Sequence, residues 1–196
     1  MLCAVNGLGL VASAAVGVVE KLIVFSMLPT TAIASAVAAM SAQNLGAGRG
    51  RRALRSLWAG VFLALSMGAA CFAAPQACPR FFTALFTADP LVISAGADYL
   101  RAYSFDCVLV CFVFCMNSFF SGCGHTLFPL LHSLIATFAV RIPLSWVLSR
   151  QAGASLFAIG LAAPAATLLS LLMCAFYLKS GRWSDSQILP ARQLAH

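Results

Sequence analysis

Charge is what this sequence has least of. Only 9% of its 196 residues are Asp, Glu, Lys or Arg, where a soluble domain carries about a quarter. Acids are scarcer than bases, five against twelve. So few charges cannot wrap a water-facing surface on all sides, which excludes an ordinary soluble domain. The catalytic signatures G-x-S-x-G and H-E-x-x-H and any paired carboxylates on one segment are missing too, so no enzyme is expected. Residues 1 to 19 have no basic start and no convincing cleavage site, so no secretory leader is expected.

The glycine-rich stretch "NLGAGRGRRA" lacks the spacing of a phosphate loop. Gly46, Gly48 and Gly50 run G-x-G-x-G rather than G-x-G-x-x-G. An Ala- and Val-rich stretch of helical character precedes them, not a strand. Nucleotide binding is set aside on that ground. The net charge of +7 does not indicate nucleic acid either, because the bases cluster beside apolar runs.

Those runs dominate the chain. The sequence is 62% hydrophobic with a mean hydropathy of +0.95, and apolar windows long enough to cross about 30 Å of hydrocarbon recur. The predicted fold class is therefore all-α, a polytopic helical membrane protein. Its five spans lie at about 10–44, 53–77, 100–122, 127–148 and 155–179, followed by a short cytosolic tail at 180–196. An odd number of crossings puts the two ends on opposite sides.

Arg49, Arg51, Arg52 and Arg55, with Lys179, Arg182 and Arg192, mark the cytoplasmic side, where basic loops are retained. The stretch holding Gln43, Asn44, Gly46, Gly48 and Arg49 then reads as a short cytoplasmic loop. The first span, about 35 residues long, would reach roughly 50 Å as a helix, so a bend is expected at Pro29. The segment "PQACPRFFTALFTADPLVISAGADYLRAYS" mixes Phe81, Phe82, Phe86, Tyr99 and Tyr103 with prolines, which suits an amphipathic anchor in the outer interface.

Small residues recur every four positions at Ala158, Ala162, Ala166, Ser170 and Cys174, and at Ala34, Ala38 and Ala42. Such seams let helices approach closely, and Pro164 gives the last helix a kink site. Cys107, Cys111 and Cys115 share one face. Packing explains them better than a metal, since only Asp106 and His125 are near as further ligands. No metal site or cofactor is expected, and cysteines inside apolar spans do not form a disulfide framework.

Polar groups at membrane depth need a reason. Glu20 lies about 15 Å into its span, near the midplane. Its neighbour Lys21 points about 100° away, so a compensating pair and a buried titrating acid both stand as readings. Asp106, with Tyr103 one turn before it, offers carboxylate and hydroxyl oxygens suited to Na⁺ or H⁺; a solvated acid near a helix start is the alternative. Asn117 suits an interhelical hydrogen bond first and a transport ligand second. Arg141 lies close enough to the outer end of its span to snorkel, and His125, His132 and His196 read as structural.

Several motifs then carry a family likeness. "AQNLGAGRGRRA" resembles the loop after the eighth helix of MATE (multidrug and toxic compound extrusion) transporters. "NGLG" at 6–9 resembles the turn before that helix, "LFTADPLVISAGADYLRAYS" the segment entering the tenth, "FFSGCGHT" the turn after it, and "VRIPLS" the eleventh helix. The resemblance implies twelve helices in two lobes around a central cavity that exchanges drugs or organic cations for H⁺ or Na⁺ by alternating access. Residues 1–179 would be a C-terminal lobe covering helices eight to twelve, with Met1 to Val5 closing helix seven. The N-terminal lobe would be missing, in the same chain or as a partner subunit.

Aligned on "GCGHT", the family's cation-binding acid of helix ten falls at Val110, one turn deeper than Asp106. Membrane lipid and small organic cations are the implied partners, the cell inner membrane the implied location and the cytoplasm the place of the C-terminus. Other readings are a non-transporting truncated protein or a subunit that associates with a partner lobe, and a half-transporter that dimerises.

Overall fold

The computed structural model describes residues 10–150 and 156–184. The expectations for Met1 to Val5, "NGLG", Ser155 and the tail from 185 onward fall outside the described residues. Five helices are long and apolar enough to cross a membrane. They are α1 (Leu10–Gly46), α2 (Gly50–Ala77), α4 (Pro90–Gly122), α5 (Leu127–Arg150) and α6 (Leu156–Lys179), with a short α3 (Pro79–Ala84) between α2 and α4. The chain is a multi-pass membrane protein whose helices leave Phe25, Phe62, Leu131, Phe138 and Phe176 exposed, as lipid-facing surfaces require.

Local chemistry sets the helix ends. At the α1–α2 turn Gly48 adopts φ +70°. Its N–H donates to the Leu45 carbonyl at 2.8 Å and that of Arg49 to the Asn44 carbonyl at 2.8 Å. That is a Schellman cap, which favours glycine at the left-handed position. Of the three glycines in the stretch, Gly48 is the one the turn demands. Gln43, Asn44 and Gly46, expected in a loop, belong to the last turns of α1, and the Asn44 amide donates to the Met40 carbonyl at 2.7 Å. Gly124, with φ +91°, closes α4 in the same way.

The expected interfacial anchor divides in two. Pro79–Ala84 forms α3, with Phe81 and Phe86 exposed beside it. From Pro90 onward the chain is already α4, which starts ten residues earlier than the expected boundary at 100 and runs 33 residues. Asp89 caps it, accepting from the Leu91 N–H at 2.9 Å, and Pro90 occupies the first turn, where its missing N–H costs nothing. Tyr99 and Tyr103 are therefore buried in the bundle rather than anchored at its surface.

α4 is the hub and touches every other helix. The approach is close where glycine allows it. A Cβ on Gly122 would strike the backbone of Ala38, one on Gly68 the Cys111 sulfur, and one on Gly160 the Ala102 methyl. In lipid no hydrophobic force drives helices together, so contacts of this kind carry the association. Ala162, Ala166, Ser170 and Cys174 are buried along α6, and Ala34 on α1. The cysteine face packs likewise: Cys111 donates to the Cys107 and Ala64 carbonyls at 3.0 and 3.2 Å.

Two apolar cores result. One gathers Val16, Val19, Leu22, Tyr99, Leu100 and Ile159. The other gathers Val37, Leu57, Phe119, Phe120 and Trp183. Trp183, in the expected cytosolic tail, instead folds back, with its ring 5.2 Å from Phe119 and its Nε1 donating to the Leu178 carbonyl at 3.2 Å.

Two helices depart from α geometry, each beside a proline. In α5 residues Ala136–Arg141 form a π-helical turn, and the Ile142 N–H bonds the Thr137 carbonyl, five residues back. Pro143 has no N–H for the Ala139 carbonyl and its ring crowds that group, so a wider turn relieves the conflict. In α6 the helix is interrupted at Leu161, three residues before Pro164.

Candidate functional site

A cleft of ≈ 470 Å³ opens between α1, α4, α5 and α6. Its volume suits a small molecule. α1 supplies an apolar wall of Ile23, Val24, Met27 and Leu28, and α4 supplies the polar stripe of Tyr103, Asp106 and Asn117. These positions recur at three- to four-residue steps through Val110, Val113 and Phe114, so one face of α4 lines the whole cleft. Val110, where the family's acid would align, thus shares the cavity with Asp106.

Asp106 is buried, and its Oδ1 has no hydrogen-bond partner. Thr167 on α6 lies within hydrogen-bonding reach of the same carboxyl, although its hydroxyl donates to the Ala163 carbonyl at 3.1 Å. An acceptor left open at this depth costs about 1–3 kcal/mol. Tyr103, Thr137 and Thr167 line the same cavity, and carboxylate and hydroxyl oxygens are the ligand type that a small hard cation takes.

Arg141 departs from expectation. Instead of snorkelling to the membrane surface it lines the cleft, and its terminal Nη2 donates to the Tyr103 hydroxyl at 3.3 Å. Arg141 ends the π turn, four residues after the cleft-lining Thr137, and so shares its side of α5. Glu20 is half-buried on α1 and is not among the lining residues. It remains within electrostatic reach of Tyr99 and Tyr103, as do Asp106 and Arg141. Lys21 is exposed, so the two neighbours do point apart.

At the other end of the cleft three helices meet through side chains. His132 Nε2 lies 2.7 Å from Asn117 Oδ1, and the Cys174 sulfur lies 3.5 Å from the same nitrogen. Asn117 therefore makes the expected interhelical bond while also facing the cavity. Among the described residues no group of three or more His, Cys, Asp and Glu side chains is arranged to hold a metal.

Sequence reading did not single out Thr137, Thr167 and His132 as lining residues. Hydroxyls in apolar helices are too common to mark a site. The nearest signal for Arg141 is Pro143, a helix-breaker two residues past a charge.

A bundle of five helices apolar enough to cross lipid, with a cleft that joins an apolar wall to a buried carboxylate, defines a multi-pass membrane protein. The MatE family model matches residues 1–147, and the chain belongs to that family. Its sequence is 24% identical over 184 residues to "Probable multidrug resistance protein YoeA" of Bacillus subtilis (strain 168), covering 94% of this chain and 40% of that protein. Its fold is similar to a solved multidrug resistance MATE family transporter of the MOP superfamily in an inward-facing conformation. The TM-score is 0.73 at 12% identity, over 91% of this chain and 44% of the other. The chain thus spans less than half the length of these relatives.

Proposed function

We propose that this chain is the C-terminal lobe of a secondary antiporter that exports organic cations or drugs in exchange for H⁺ or Na⁺. The observation that carries the reading is Asp106: a buried carboxylate with an open oxygen, inside a cleft that is otherwise mostly apolar. Such a group is costly in a membrane unless a cation or proton visits it. Cargo and coupling ion would bias inward and outward states through their different affinities for each. Glu20, close to the same tyrosines, is the second candidate acid, and Tyr103 and Asn117 are candidate ligands.

The chain spans less than half the length of the relatives it matches, which supports an N-terminal lobe as the cleft's further wall. That lobe would come from the same chain or from a partner subunit. The basic residues 49–55 support an inner-membrane topology with that turn and the C-terminus in the cytoplasm.

The test is transport by the native product that contains these residues, reconstituted in vesicles loaded with ethidium. Imposed proton and Na⁺ gradients are applied separately. Ethidium flux driven by one gradient supports antiport and names the ion; flux that ignores both gradients contradicts it.

A further inference from the structure

Two opposite charges share the cleft, yet the contact made by the Arg141 Nη2 is to the tyrosine hydroxyl. Arg141 Nη2 donates to Tyr103 Oη at 3.3 Å, Tyr103 sits one turn before Asp106, and Asp106 Oδ1 is buried without a hydrogen-bond partner. All three line one cavity. A guanidinium keeps its charge in any protein environment, so a positive group is always present beside the carboxylate, whatever the cleft contains. It is carried on the last residue of a π turn, a local departure from α geometry of the kind found at functional sites.

We propose that Arg141 is a tethered counter-cation that competes with the transported cation for Asp106. With no cargo bound, the guanidinium exchanges between the Tyr103 hydroxyl, the arrangement seen here, and the open oxygen of Asp106, where it makes the site neutral. When a cargo cation occupies Asp106, the arginine is held at the Tyr103 hydroxyl. This rests on the transport reading of the same cleft and adds a specificity-determining residue to it. Arg141 sets how tightly a cation is held at the carboxylate. The apparent affinity for cargo is lowered by the share of molecules in which the arginine already occupies the acid.

The test is binding of tetraphenylphosphonium, a permanent cation with no hydrogen bonds to offer, to the purified native product by equilibrium dialysis. R141Q is expected to bind about tenfold more tightly than the unaltered protein. The same change made on D106N is expected to alter the dissociation constant less than twofold. Y103F, a conservative change that keeps the packing, removes the arginine's resting place. It is expected to weaken binding about threefold, an effect that should vanish when R141Q is also present.

Equal binding by R141Q and the unaltered protein would overturn the proposal. So would the same gain in the D106N background, since the arginine would then act only as a diffuse field. Should R141Q not give monodisperse protein, the Y103F result decides: unchanged or tighter binding contradicts the competition. An unaltered protein that binds no probe would contradict the transport reading itself, whereas binding that is indifferent to residue 141 would contradict this inference alone.

Discussion

The Nε2 of His132 lies 2.7 Å from the Oδ1 of Asn117, joining α5 to α4 inside the membrane, while the other ring nitrogen of His132 is buried with no partner. α5 is otherwise the most loosely held helix, with large apolar side chains turned outward along its length. A polar link therefore has more to do there than in the α1–α4 contact. Interhelical hydrogen bonds in membranes contribute about 0.6 kcal/mol on average and up to about 1.7. A double-mutant cycle with N117A and H132A in micelles should give a coupling near 1 kcal/mol by reversible unfolding. Strict additivity of the two changes would show that the bond is incidental.

Gly122 allows α4 to rest on the backbone of Ala38, where an added methyl would collide with main chain that cannot move aside. G122A should destabilise by about 1–3 kcal/mol, the range for forced overpacking. Gly17 has nothing within 4 Å of its would-be Cβ, so G17A should be neutral or gain up to about 1 kcal/mol from helix propensity. Thermal stability of the two variants in one detergent makes the comparison. Equal losses would mean that the close approach at Gly122 is not a packing contact.

Pro143 follows the π turn that ends on Arg141. In P143A the Ala139 carbonyl regains an N–H donor, and the turn should relax to α geometry, carrying residue 141 round the helix. A cysteine at position 141 should then change its reactivity toward a small aqueous thiol reagent by several-fold when P143A is added. No change in rate would indicate that something other than the proline holds the π turn.

Sidedness can be read from cysteines already present. Cys78, between α2 and α3, is exposed, whereas Cys107, Cys111, Cys115, Cys123 and Cys174 are buried. The proposed topology puts Arg49 to Arg55 at the cytoplasmic end of α2 and the other end of α2 outside. A membrane-impermeant maleimide should label Cys78 on intact cells and should label A47C only after permeabilisation. The reverse pattern would invert the topology.

The spans were legible because length and composition alone decide whether a helix can cross lipid. The long apolar helices run Leu10–Gly46, Gly50–Ala77, Pro90–Gly122, Leu127–Arg150 and Leu156–Lys179, and the third begins well before its expected start. That early start has a physical cause: Asp89-Pro90 is a helix start in its own right, yet the aromatics after it suggested an interface. Burial of Tyr99 against Gly160 comes from a helix about sixty residues further on, which no local pattern reports. At the site, Asp106, Tyr103 and Asn117 share one helix face, so their company could be read from spacing. Arg141 could not, because which face of α5 lines the cleft is set by packing against other helices, which no local pattern reports.

The measurement that bears most directly on this account is coupled efflux by the native product with and without the Asp106 carboxylate. D106N, nearly the same shape but unable to hold a negative charge, should reach the membrane in normal amount. It should lose at least about 90% of gradient-driven ethidium exchange, since a coupling acid has no substitute elsewhere in the cleft. Undiminished exchange by D106N would remove Asp106 from the mechanism and contradict the account at its centre.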